Sequence, residues 1–142
     1  MDLPTIIFFN DYNIDFRGDF LLLNKNNYKK LLEKIIQSDD IVRFAAICDR
    51  FGLIEEKLQR EGRIMLLNEY DTDKLVKEGA SSWYYRKQLS NKIGKGQYAM
   101  AAYEKIIRLT IPLDDDHILL VSLDNQGETP KIIDTIKKIL QE

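Results

Sequence analysis

The segment Phe44-Ala-Ala-Ile-Cys-Asp-Arg-Phe-Gly-Leu-Ile54 constrains this chain more than any other. Ile41–Cys48 carries apolar residues on both faces, broken mainly by Arg43. A strand covered on both sides reads this way. Asp49-Arg50-Phe51-Gly52 has Asp first and Gly last, as a type I turn prefers. Leu53–Leu58 predicts the answering strand, with Ile54, Glu56 and Leu58 on one face and Leu53, Glu55 and Lys57 on the other. Its three charges predict a half-exposed strand.

Helical patterns lie on either side of this hairpin. Before it, Tyr28, Leu31, Leu32, Ile35 and Ile36 fall at i, i+3, i+4, i+7 and i+8, one apolar face of a helix. After it comes a loop at Gln59–Gly62 and a short apolar run, Ile64–Leu67. Asp71 or Thr72 then caps a long helix predicted to reach about Ile93, with Gly94 as its C′ residue. Its apolar or small positions are Leu75, Val76, Gly79, Ala80, Ser82, Trp83, Leu89 and Ile93, with the stem of Arg86. Gln97–Leu113 is too long for one ordinary strand. It predicts two, split near Glu104-Lys105, with one long bent strand as the alternative. Ile118–Leu123 is a further strand, and Thr129 and Pro130 open a last helix with Ile132, Ile133, Ile136, Ile139 and Leu140 on its apolar face.

Residues 1–26 are harder to place. Their two apolar bursts, Ile6–Phe9 and Phe20–Leu23, predict an N-terminal extension, either an extra hairpin or a partly ordered segment. The main domain is expected over residues 27–142. At 142 residues one domain is the prior. A hydrophobic share of 44% and a charged share of 31% are ordinary for a globular chain. A net charge of −2 offers no global basic field for nucleic acid or membrane. One cysteine, Cys48, cannot form an intramolecular disulfide. With neither a secretory pattern nor an apolar run long enough for a membrane span, a cytoplasmic location is expected.

The residues offer no specific catalytic, cofactor or metal constellation. His117, the one histidine, follows three aspartates, which suits a solvated turn better than an oxygen-rich metal site. Cys48 with His117 as base is an imaginable nucleophile pair, but a cysteine ending an apolar strand is usually a small hydrophobe. Gly94-Lys95-Gly96 lacks phosphate-loop spacing and opens onto a strand. The surface candidate is Trp83-Tyr84-Tyr85-Arg86-Lys87. Three consecutive aromatics on a helix span about 200°, so at least one must leave the core. Trp, Tyr and Arg dominate interface hot spots. Plain packing, with Trp83 on the sheet and Tyr84 and Tyr85 along its flanks, weighs evenly against an interface. Trp83, Tyr84, Arg86, Lys87, Tyr98 and Met100 are the candidate dimer or partner interface. Trp83, Tyr98, Met100 and Tyr103 are the alternative ligand pocket.

From Asn27 onward the order is α-β-β-α-β-β-β-α. With Asp49-Arg50-Phe51-Gly52-Leu53-Ile54 as an Asp-x-x-Gly-hydrophobic hairpin and a small-residue second helix, this resembles the roadblock/dynein-light-chain domain, a longin/profilin-like relative. Val42–Leu140 is also similar to an uncharacterised archaeal protein family, carried by the run Tyr103–Leu113. The resemblance implies an α+β fold with a five-stranded antiparallel sheet in the order 2-1-5-4-3 and helices on both faces. It implies dimerisation through the third strand's edge and the second helix. It also implies a non-enzymatic interaction module, a scaffold or regulator of a small GTPase, with no cofactor. A PAS-like small-ligand sensor is the alternative, and an enzyme is disfavoured for want of an acid, base, nucleophile or metal set.

Overall fold

The computed structural model describes residues 25–127 and 131–142. The expected N-terminal hairpin or extension and the Thr129-Pro130 helix start lie outside the described residues. The chain forms α1 (Lys25–Ser38), β1 (Val42–Asp49), β2 (Ile54–Gln59), α2 (Glu69–Lys87), α3 (Ser90–Ile93), β3 (Ala99–Ala102), β4 (Ile106–Pro112), β5 (His117–Asp124) and α4 (Ile132–Leu140). The strands make one antiparallel sheet in the order β2-β1-β5-β4-β3. Its order and the expected fold class agree.

Alternation along the central strands feeds two separate cores. Ala45 and Ile47 of β1, Leu119, Val121 and Leu123 of β5 and Ile107, Leu109 and Ile111 of β4 pack with Leu32 and Ile35 of α1 and Ile132 and Ile136 of α4. The other sheet face sends Cys48, Ile118 and Leu120 against Val76 and Ala80 of α2. Because β1 lies inside the sheet and is covered on both faces, Ala45, Ala46, Ile47 and Cys48 are all fully buried. The α1/α4 side holds most of the large side chains. The α2 side is thinner, since that helix buries only Val76, Gly79 and Ala80.

The β1–β2 turn closes with Gly52 N–H donating to Asp49 O (3.0 Å). Asp49 Oδ1 accepts from Phe51 N–H (2.9 Å) and Leu53 N–H (3.0 Å). The loop after β2 is pinned by arginines. Arg60 donates to Val42 O (2.6 Å) and to the carbonyls of Ile36 and Asp39, closing the end of α1. Arg43 and Arg63 share Asp124, at 2.7 and 2.5 Å.

Both ends of α2 differ from expectation. Its N-cap is Asn68, whose Oδ1 accepts from Asp71 N–H at 2.8 Å, so the helix starts ahead of Asp71 and Thr72. The helix also stops at Lys87 instead of running to Ile93; a turn and the one-turn helix α3 follow. Leu89 and Ile93 are 51% and 80% exposed, so no core contact holds the helix straight through them. Gly94 closes α3 instead, with φ +89° and its N–H donating to Ser90 O (3.0 Å). Gln97–Leu113 divides into β3 and β4 around Tyr103–Lys105, as the two-strand reading expects.

Candidate functional site

Among the described residues the sheet has two outer strands, β2 and β3. β2 carries Glu55, Glu56 and Lys57, and charged edges resist further pairing. β3 is different: Ala99-Met100-Ala101-Ala102 carries no charge, and its outer backbone edge meets no strand among the described residues. Register places its side chains. Met100 opposes Leu109 and Ala102 opposes Ile107, so both share the α1/α4 face; Ala99 and Ala101 oppose Thr110 and Arg108 on the α2 face. Tyr98 joins Met100's side, with Lys137 Nζ of α4 lying 5.4 Å from its ring centre.

Trp83 approaches the same edge from the other side. It packs with the Val76–Ala80 cluster, and a Cβ at Gly96 would lie 3.1 Å from its ring, so glycine lets the chain entering β3 run close beneath the indole. Tyr84 and Tyr85 are exposed, their rings in an edge-on pair 6.0 Å apart. Arg86 is exposed, and Lys87 reaches Asp115 in the β4–β5 turn at 3.6 Å. The six interface candidates therefore fall on two faces, Trp83, Tyr84, Arg86 and Lys87 with α2, Tyr98 and Met100 with α4. The open edge of β3 lies between the two groups. Tyr103 follows β3, where Asn125 Nδ2 donates to its carbonyl (2.7 Å). Trp83, Tyr98, Met100 and Tyr103 do not line the half-open groove of about 500 Å³ that lies under the other end of α2.

The charges of this region are all of one sign. Between Gly79 and Tyr103 stand Arg86, Lys87, Lys92 and Lys95 and not one Asp or Glu. In a chain of net charge −2, the α2–β3 region is thus the cationic end. Tyr85, Leu89 and Ile93, exposed among those cations, add apolar anchors.

The remaining chemical candidates have structural occupations. Cys48 is buried, and desolvation, with the charges of Asp49 and Glu55 adding to it, pushes its thiol up to about 12. A thiol that resists ionisation is a poor nucleophile. His117 sits between two carboxylates, Nδ1 at 3.0 Å from Asp114 Oδ1 and Nε2 at 3.2 Å from Glu55 Oε2. Burial lowers its pKa, but the hydrogen bond and charge of Asp114 and then Glu55 outweigh this and raise it to about 9. The imidazolium therefore donates from both nitrogens at neutral pH. Among the described residues no group of three or more His, Cys, Asp or Glu is placed to hold a metal ion, and no helix is long and apolar enough to cross a membrane.

No protein-family model matches the chain, and no curated protein matches it in sequence. Solved structures do. The gliding protein MglB of Thermus thermophilus is similar at 16% identity and TM-score 0.65, over 80% of this chain and 82% of that one. An MglB in a tetrameric arrangement is similar at 16% identity and TM-score 0.68, over 83% and 85%. A Roadblock/LC7 domain from Streptomyces avermitilis is similar at 9% identity and TM-score 0.62, over 79% and 90%. Strand order, the helix-covered faces and these likenesses agree: the chain has the roadblock fold.

Proposed function

We propose that this chain is a non-enzymatic, homodimeric interaction and regulatory module, a scaffold or regulator of a small GTPase. The observation that carries this reading is the uncharged outer edge of β3, which pairs with no strand among the described residues and is flanked by half-exposed Tyr98 and Met100 on one face and by Trp83 on the other. Such an edge is a template for another strand. A two-fold axis beside it would use the same patch on both copies. The tetrameric arrangement of an MglB supports self-assembly by this fold. The GTPase reading rests on the roadblock resemblance, with exposed Tyr84, Tyr85 and Arg86 supplying the residue types that dominate binding hot spots. The inert thiol of Cys48 and the carboxylate-held His117 favour a binding role over catalysis.

Sedimentation velocity at tens of micromolar tests the dimer. The chain should sediment as a dimer, and Met100→Lys should yield a folded monomer with the wild-type circular-dichroism spectrum, because Met100 is already 46% exposed; its melting temperature should fall only by the stabilisation that dimerisation supplies. A monomeric wild-type chain overturns the reading. The regulatory half is tested by adding the purified chain to small GTPases from the same cells. Nucleotide exchange or hydrolysis should change with wild type and less with Tyr85→Ala/Arg86→Ala.

A further inference from the structure

We propose that the groove under the N-terminal half of α2 is a binding site for an amphipathic monocarboxylate, an anionic head on an alkyl chain of roughly ten carbons or more. This goes beyond the dimer reading and does not depend on it, because the groove lies away from β3's open edge.

The floor is one row of side chains across three strands. Phe44 of β1 opposes Ser122 of β5, and Ser122 opposes Arg108 of β4. The row lies on the α2 face, where Arg108 donates to Leu75 O at 3.0 Å. A small serine between a phenylalanine and an arginine leaves a dip. α2 does not fill it, since the helix buries only Val76, Gly79 and Ala80. The result is a half-open groove of about 500 Å³, within the size range of small-molecule sites, which pair apolar walls with a few placed polar groups.

Two observations select the ligand class. The first is charge. The lining holds three cations, Arg43, Lys57 and Arg108, against one carboxylate, Glu69. Arg43 is matched by Asp124 at 2.7 Å and Lys57 by Glu69 at 3.4 Å. Arg108 is not matched in kind: its side chain is only 10% exposed, and its carboxylate neighbour Glu78 is 3.5 Å away and 62% exposed. A guanidinium makes its strongest hydrogen bonds to a carboxylate, often as a bidentate pair, which the long contact to exposed Glu78 does not provide. The second is apolar surface beside the groove. Met65 and Leu66 line it, yet they are 63% and 44% exposed, and the neighbouring Ile64 is 81% exposed. Arg43 Nη2 donating to Ile64 O (2.6 Å) fixes the loop there. An alkyl chain along the floor would cover the two lining side chains.

Calorimetric titration of the full chain with dodecanoate, below its aggregation concentration, tests the assignment. A saturable one-to-one isotherm is expected, with dodecan-1-ol and dodecyltrimethylammonium at least tenfold weaker. Amide shifts should cluster at Phe44, Ser122 and the 65–67 loop. Arg108→Gln should weaken dodecanoate at least tenfold and leave dodecan-1-ol unchanged. Ser122→Phe, which fills the dip without removing a charge, should abolish binding of both, and it carries the test if Arg108→Gln does not fold. Unsaturable binding, equal affinity for all three amphiphiles, or binding indifferent to Ser122→Phe in a folded protein overturns the proposal. So does the absence of binding.

Discussion

Gly52 meets two constraints at once. Its φ of +83° lies in the left-handed region, which a side chain enters at a cost of about 1–2 kcal/mol. Independently, a Cβ there would sit 2.7 Å from Lys77 Cα, a backbone atom of α2 that cannot step aside. Gly62 separates the two effects: its φ is +80°, but a Cβ would meet nothing within 4 Å. Gly62→Ala should therefore cost about 1 kcal/mol, and Gly52→Ala about 2–4 kcal/mol, since it must also displace the helix. Urea midpoints of the two variants check this; equal losses would mean that the turn's contact with α2 carries no energy. The turn chemistry of Asp49–Gly52 is readable from sequence alone. The need for a bare backbone beneath α2 is not, because it depends on Lys77, far along the chain in another element.

Between elements, His117 joins the start of β5, the preceding turn and β2 through Asp114 and Glu55. Its folded pKa of about 9 stands above the ordinary 6.5. A raised pKa contributes stability that is full below about 6.5, where both folded and unfolded chains are protonated, and that fades as pH rises through about 9. Partial exposure screens the pair, so on the order of 1–2 kcal/mol is expected. His117→Gln should thus lower the denaturant midpoint at pH 6 and make little difference at pH 10; a gap that stays constant or widens with pH would show that the imidazolium is not what holds the junction. The same scale explains which elements are legible in the sequence. The β1–β2 hairpin, β5 and the apolar faces of α1 and α4 announce themselves because their periodicity is local and their burial dense. The break between β3 and β4 falls on Tyr103-Glu104-Lys105, which holds no Gly, Pro, Asn or Asp; its closing bond is Tyr103 N–H to Ile106 O (2.7 Å), and Asn125, distant in sequence, adds donors to Tyr103 O at 2.7 Å and Lys105 O at 3.0 Å. Asn68 caps α2 from just ahead of Asp71 and Thr72, and three capping types within five residues leave the start ambiguous to pattern alone. Leu89 and Ile93 sit at helical spacing after Lys87 but reach no core, so periodicity overstates the length of α2. Trp83 is legible as a packing residue with exposed neighbours, whereas the split of the candidate surface between two sheet faces requires the β3–β4 register.

For the whole molecule, charge distribution decides how copies and partners meet. Gly79–Tyr103 carries +4, so the rest of a chain of net −2 carries −6, from −2 − 4. Pairing two β3 edges about a two-fold axis brings two such cationic segments together, although Asp115 partly offsets Lys87. At physiological salt the screening length is about 8 Å, short enough to damp that repulsion but not to erase it at close contact. The proposed dimer should therefore tighten as salt rises, roughly threefold to tenfold in Kd between about 0.05 and 0.5 M NaCl, the energy coming from edge pairing and apolar contact. An acidic partner on the same α2 face should show the opposite slope, binding fastest and tightest at low salt. Sedimentation across a salt series reads the first slope and surface plasmon resonance the second. A dimer that loosens with salt would place its two-fold axis away from the cationic region, and hence away from β3. Opposed slopes would let one surface serve both roles, with ionic strength shifting the balance between self-association and partner capture.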